Sequence, residues 1–108
     1  MEPGNNHQLI IPDDKGERTF TLPEGKTRLG RARSNEVQLR EKSVSRKHCW
    51  IERDGDQVVV FDARTRNATG IRRHGKERTK GANGRILRDQ DVLFVGRIEI
   101  VYRGCSGP

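Results

Sequence analysis

Three fragments of this 108-residue chain carry side chains able to hold an anion: Gly30-Arg31, Ser45-Arg46-Lys47-His48 and Asn67-Ala68-Thr69. They supply a guanidinium, a hydroxyl, a second cationic group and an amide, each beside a short apolar run. A guanidinium is permanently charged, and its planar fork of donors matches phosphate oxygens. A serine hydroxyl can donate to the same oxygens, and an asparagine amide has both the donor and the acceptor that reading a peptide main chain requires. The chemistry indicated is capture of a dianion next to a polypeptide. Cleavage fits poorly. Ser45 and His48 lie three residues apart, with no Gly-x-Ser-x-Gly elbow, so His48 suits ordering a loop better than taking a proton. No Walker motif or G-x-G-x-x-G is present, so neither nucleotide chemistry nor a cofactor is expected. His7, His48 and His74 are far apart and no Cys-x-x-Cys exists, so no metal site is expected.

The elements that must position these groups read as strands. Short apolar or alternating segments recur at Gln8–Ile11, Arg18–Leu22, Thr27–Leu29, Val37–Leu39, His48–Arg53, Val58–Asp62, Gly70–Arg72, Arg85–Leu87, Val92–Gly96 and Ile98–Tyr102. β-Branched residues dominate them, and Pro12, Pro23 and the glycines break the intervals before a helix could form. Strand-sized runs at this spacing indicate an all-β sandwich or barrel. Asp54-Gly55-Asp56 reads as a hairpin turn, and Pro23-Glu24-Gly25-Lys26 as a second turn. Alternation puts Cys49 and Ile51 on the core face of their strand and Trp50 on the outer face. Thr65 and Asn67 are types that satisfy loop backbone locally. Residues 1–7 read as a flexible leader, 8–103 as one domain, and 104–108 as a tail or linker.

Hydrophobic residues make up 31% and charged residues 34% of the chain. Against an average of about a quarter charged, this is a thin core under a heavily charged surface. The net charge of +7 is segregated. Ala63–Arg88 holds nine basic residues against Glu77 alone, and Arg31–His48 holds six against two acidic ones, so the remainder is net acidic. Such segregation points to an anionic partner. No apolar run approaches the roughly 20 residues of a membrane helix, and the N-terminus lacks a secretory pattern. An intracellular protein, cytoplasmic or nuclear, with two free thiols (Cys49 and Cys105) is expected. Without a secretory signal, the match of Asn67-Ala68-Thr69 to a glycosylation acceptor is incidental.

In this order the three fragments resemble the signature of the forkhead-associated (FHA) domain: Gly-Arg, Ser-x-x-His, then Asn-Gly-Thr. Ser34-Asn35-Glu36-Val37, Leu87, Asp91-Val92 and Gly96 fall where that family has similar residues, and the likeness runs from about Thr27 to Tyr102. The resemblance implies an eleven-stranded, mostly antiparallel β-sandwich of two sheets with binding loops at one end, and a phosphothreonine-peptide receptor without catalysis. It implies that Arg31 contacts the ligand beside the phosphothreonine, that Ser45 with Arg46 binds the phosphate, that Arg66 faces it, and that Asn67 holds the backbone that follows. It implies loop support from Gly30, His48, Thr65 and Thr69. Two departures stand out. Ala68 occupies the glycine position, where a positive φ would strain alanine by about 1 kcal/mol. The family's further Asn-Gly is replaced by Ile71-Arg72-Arg73-His74-Gly75, whose Arg72 and Arg73 suggest an acidic or doubly phosphorylated ligand. The alternatives are nucleic-acid or polyanion binding by Ala63–Arg88, which lacks aromatics to stack on bases, and phosphorylation-independent docking on the same fold.

Overall fold

The computed structural model describes residues 7–63, 65 and 67–104. Eleven strands form among them: β1 (Gln8–Asp13), β2 (Gly16–Thr21), β3 (Gly25–Gly30), β4 (Val37–Gln38), β5 (Cys49–Asp54), β6 (Gln57–Asp62), β7 (Gly70–Arg72), β8 (Thr79–Lys80), β9 (Arg85–Ile86), β10 (Val92–Val95) and β11 (Ile98–Arg103). They build a sandwich of two sheets, ordered β2-β1-β11-β10-β7-β8 and β4-β3-β5-β6-β9. The β3–β4 pair is parallel, and the other described pairings are antiparallel. No helix among the described residues is long and apolar enough to cross a membrane.

Period-two alternation assigns the faces. In β5, Cys49, Ile51 and Arg53 point inward, while Trp50, Glu52 and Asp54 point outward. Val58 and Val60 of β6 face the same core, which Leu9, Ile11, Leu93, Val95, Ile100 and Tyr102 complete from the other sheet. Trp50 sits on the outer face under partial cover: its ring stacks on Phe61 at 5.3 Å, Lys26 Nζ lies 4.7 Å from it, and its Nε1 donates to Glu52. The β5–β6 hairpin closes through Gly55-Asp56, with Gly55 at φ 63°, where only glycine is unstrained.

Arg53 enters the core with its guanidinium partnered. Arg53 donates from Nη1 to the Leu22 carbonyl at 2.8 Å and from Nε to the Gly55 carbonyl at 2.9 Å. Burial pushes the Tyr102 hydroxyl and the Cys49 thiol each up to about 12, so Cys49 is an unreactive packing residue at neutral pH.

Three sequence expectations need correction. His7 belongs to the fold rather than to the leader: it is buried, its Nδ1 is 2.7 Å from the Tyr102 hydroxyl, and its carbonyl accepts the Leu22 N–H. Gly104, assigned to the tail, donates its N–H to Asp89 Oδ1 at 3.0 Å. Strand β8 lies inside the basic stretch Arg72–Arg85, where the segments expected from sequence include no strand because no apolar run marks one; backbone pairing of Gly70 with Lys80 and Ile71 with Thr79 makes it an edge strand. The rest of the leader and tail, including Cys105, lies outside the described residues.

Candidate functional site

Register brings the three sequence fragments to one end of the sandwich. Leu29 pairs with Cys49 and Cys49 with Asp62, so the end of β3, the start of β5 and the end of β6 lie side by side. In the other sheet Gly70 pairs with Phe94 and Val95 with Ile98, which aligns the start of β7 with the β10–β11 turn. Two hydrogen bonds join the sheets here: Asn67 Nδ2 donates to the Ser43 carbonyl at 3.0 Å, and the Arg97 N–H donates to Ser43 Oγ at 2.8 Å.

Gly30 allows the loops after β3 and before β5 to touch. A Cβ at this position would lie 2.3 Å from the Arg46 carbonyl oxygen and 2.8 Å from Asn35 Nδ2. The contact is completed by Arg31 N–H to the Ser45 carbonyl at 2.9 Å, Ala32 N–H to the Arg46 carbonyl at 3.1 Å, and Asn35 Nδ2 to the same Arg46 oxygen at 2.8 Å. Residues 31–36 connect parallel neighbours, where a dozen or more residues are usual, so this loop needs strong anchors. Glu36 is one. It accepts the Arg28 backbone N–H and both Nε and Nη2 of its side chain, and these bonds hold its carboxyl down at about 2.

His48 and Asp62 order the other two loops. His48 is fully buried, and its Nδ1 accepts the Ser45 N–H at 3.0 Å. An accepting Nδ1 requires the neutral ring with its proton on Nε2, which faces Thr65 Oγ1 at 3.3 Å. Asp62 Oδ1 receives the Thr69 N–H at 3.0 Å, the Thr69 hydroxyl at 2.7 Å and the Thr65 hydroxyl at 3.1 Å, while Oδ2 receives the Thr65 N–H at 3.2 Å. Asp62 was not singled out by sequence, although its spacing to Thr65 is that of a side-chain-closed turn.

Burial lowers the His48 pKa below its ordinary 6.5, outweighing the Asn67 carbonyl and Asp62, which raise it. The unfolded chain therefore takes up the proton first. Stability from this group is complete above the unfolded value and declines as pH falls toward the folded one. Burial raises the Asp62 pKa, but hydrogen bonds from Thr69 and Thr65 bring it below normal, so its contribution is lost at still lower pH. We expect urea midpoints to fall between pH 7 and 5, and His48→Gln to flatten that slope.

The anion-binding types lie on this frame. Arg31 is exposed; its Nε donates to the Val44 carbonyl at 3.0 Å, and its terminal amino groups have no protein partner among the described residues. The same holds for the Ser45 hydroxyl and the exposed Arg46 guanidinium. Arg31, Ala32, Arg33, Ser34 and Arg46 line an open pocket of about 430 Å³. Beyond Asn67 lies a groove of about 720 Å³, lined by Glu41, Lys42, Ser43, Asn67, Ala68, Arg78, Gly96 and Arg97. Arg66 is outside the described residues.

Arg72 and Arg73 are engaged within the fold. The strand pairing sets Arg72 opposite Val92 at the start of β10. Arg73 forks onto the buried Asp91 at 2.9 and 2.8 Å, and Arg72 pairs with Glu99 at 3.7 Å over the Phe94 ring. A buried carboxylate demands such a cation, so Arg73 is occupied by the fold. The cations beside Asn67 are instead Lys42, Arg78 and Arg97. Sequence reading counted Lys42 and Arg78 only as charge and did not single out Arg97.

Residues 27–96 match the family model of the FHA domain. The chain belongs to the FHA domain family. It is 31% identical over 91 residues to the FHA domain-containing protein FhaA of Mycobacterium tuberculosis, covering 84% of this chain and 16% of that protein. It is 30% identical over 83 residues to the oxoglutarate dehydrogenase inhibitor of Corynebacterium jeikeium, covering 77% of this chain and 54% of the relative. Among solved structures, the FhaA FHA domain complexed with the intracellular domain of Rv3910 superposes with a TM-score of 0.76 at 30% identity, covering 91% of this chain and all of that one.

As an FHA domain the chain departs at Ala68, and the structure removes the concern about strain. Among the described non-glycine residues only His74 and Gln90 have positive φ, so the Ala68 backbone is one that alanine adopts freely. Ala68→Gly should lower stability by about 0.5–1 kcal/mol through the looser unfolded chain, instead of relieving strain. Thermal melts of the two proteins test this.

Proposed function

We propose that this FHA domain is a non-catalytic receptor for a phosphothreonine-containing segment of a partner protein, recruited after a Ser/Thr kinase has acted. The observation that carries the reading is an open pocket lined by Arg31 and Arg46, with unengaged donors, at the end of the sandwich where strand register also brings the loops that hold Ser45 and Asn67. Guanidinium and hydroxyl donors suit the phosphate, and the Asn67 amide suits the main chain that follows. Gly30, His48, Thr65 and Thr69 hold the loops that present them. Phosphothreonine-dependent interactions are described for a solved FHA domain that is 29% identical to this chain, which supports the same class of ligand here. A reducing intracellular compartment, where such kinases act, is the setting this reading requires.

Titration with a phosphothreonine peptide and its unphosphorylated twin, at low and moderate salt, tests the proposal. The expected result is phosphate-dependent binding of about micromolar strength, since a short peptide must become ordered. Equal binding of the two peptides would favour phosphorylation-independent docking. Salt-sensitive duplex DNA binding that survives Ser45→Ala would favour a polyanion receptor.

A further inference from the structure

The four edges of the sandwich are unequal. Strands β4, β8 and β9 hold two residues each, while β2, the remaining edge, holds six, Gly16–Thr21. Short edges resist pairing with other chains, and a long exposed one is a template for it. The backbone of β2 is open in a definite phase. The Leu22 N–H donates to the His7 carbonyl, and the β1–β2 register keeps that parity, so Gly16, Arg18 and Phe20 bond to β1. The N–H and C=O groups of Glu17, Thr19 and Thr21 therefore point away from the sheet, and none has a partner among the described residues. All three residues are exposed, and no proline interrupts the strand. Arg18 and Phe20 lie on the core side of the sheet, opposite the buried Ile11 and Leu9. The Arg18 side chain is held along the edge by its Nη2 bond to the Gln38 carbonyl at 2.7 Å.

We propose that this edge is a homodimer interface, in which β2 of two copies pair antiparallel about Thr19 and merge their six-stranded sheets into one. The strand is complementary to itself in this register. Thr19 stands opposite Thr19, Glu17 opposite Thr21 and Arg18 opposite Phe20, so every open residue of one copy exchanges backbone hydrogen bonds with an open residue of the other. Each guanidinium stem meets the ring of the second copy's Phe20, a favourable cation–π pair made twice. Other registers are poorer. Centring the pair on Arg18 or on Glu17 sets like charges against each other, and centring it on Phe20 puts Pro23, which has no N–H, opposite Glu17. Parallel pairing runs Glu17 beside Glu17 and Arg18 beside Arg18. Strand β2 starts beside the loop end of the sandwich, because β1 ends where β11 begins, next to the β10–β11 turn. Antiparallel pairing therefore points the two loop ends in opposite directions, and a dimer would hold two phosphorylated partners apart. Only that consequence rests on the phosphopeptide reading; the dimer stands or falls without it.

Sedimentation velocity on the full chain, from about 10 µM to about 1 mM at physiological ionic strength, tests the proposal; salt at that level screens the repulsion between two chains of charge +7. We expect the mass to climb from monomer toward dimer, half-associated near about 100 µM, the strength of an interface below standard size. Thr19→Pro should stay monomeric throughout with an unchanged melting temperature, because the N–H it removes makes no bond within the fold and edge strands accept proline. Thr21→Lys tests the register. It sets a lysine opposite the second copy's Glu17, twice over, and should tighten the dimer about two- to tenfold. A wild-type chain that remains monomeric at the highest concentration overturns the proposal. So does a Thr19→Pro variant that still dimerises, or a Thr21→Lys variant that leaves the dimer unchanged or weaker.

Discussion

Arg31→Ala is expected to lower affinity for a phosphothreonine peptide by about ten- to a hundredfold, the worth of one or two charge-assisted hydrogen bonds. The melting temperature should stay nearly unchanged. Arg31 is exposed, and its one described side-chain hydrogen bond, Nε to the Val44 carbonyl, is a neutral-acceptor contact at the surface. Arg31→Lys should recover only part of the affinity. An ammonium keeps the charge but lacks the fork that can hold Val44 with one donor while offering others to the ligand. Isothermal titration of the three proteins, together with melts, separates a binding role from a folding one: a parallel loss of stability and affinity would assign Arg31 to the frame.

Gly30→Ala is expected to cost about 2–3 kcal/mol and to abolish measurable peptide binding. The new methyl would meet the Arg46 carbonyl carbon and oxygen, which are backbone atoms and cannot swing aside as a flexible side chain can. The loops must part, which breaks the Arg31-to-Ser45 and Ala32-to-Arg46 bonds that place the anion-binding groups. Gly55→Ala is the control. Gly55 has open space around its missing Cβ but a φ of 63°, so alanine there should cost about 1 kcal/mol in stability with no change in affinity. Chemical denaturation and peptide titration of both variants measure the contrast. Wild-type affinity in Gly30→Ala would mean that the two loops need not touch to bind.

The strands of this fold were legible in the sequence because they are written in alternation. Cys49 and Ile51 mark the core face of β5 and Trp50 the outer one, as the structure has them. What periodicity could not mark was missed. Strand β8, Thr79–Lys80, forms by pairing with β7 and by the Thr79 hydroxyl donating to the Ile71 carbonyl, with no apolar residue of its own. The same distinction runs through the candidate site. Arg31, Ser45 and Asn67 stand in recognisable local motifs, and their fragments lie together because antiparallel register aligns the ends of β3, β5 and β6. The cations Lys42, Arg78 and Arg97 come together by long-range packing that no short fragment reveals. Arg73 illustrates the reverse case. Read as a ligand contact for its charge, it instead neutralises Asp91, whose burial depends on the closed β7–β10 pairing.

The central claim is that loop tips at one end of the sandwich gather donors around a single phosphate. Amide chemical-shift mapping of the isotope-labelled domain, titrated with a phosphothreonine peptide and with its unphosphorylated twin, tests it most directly. The account predicts phosphate-dependent shifts concentrated at Arg31, Ala32, Ser45, Arg46, Asn67 and Ala68, with little change at Gly55 or Asp56. Shifts centred on the β5–β6 hairpin, or the same pattern with the unphosphorylated peptide, would contradict it.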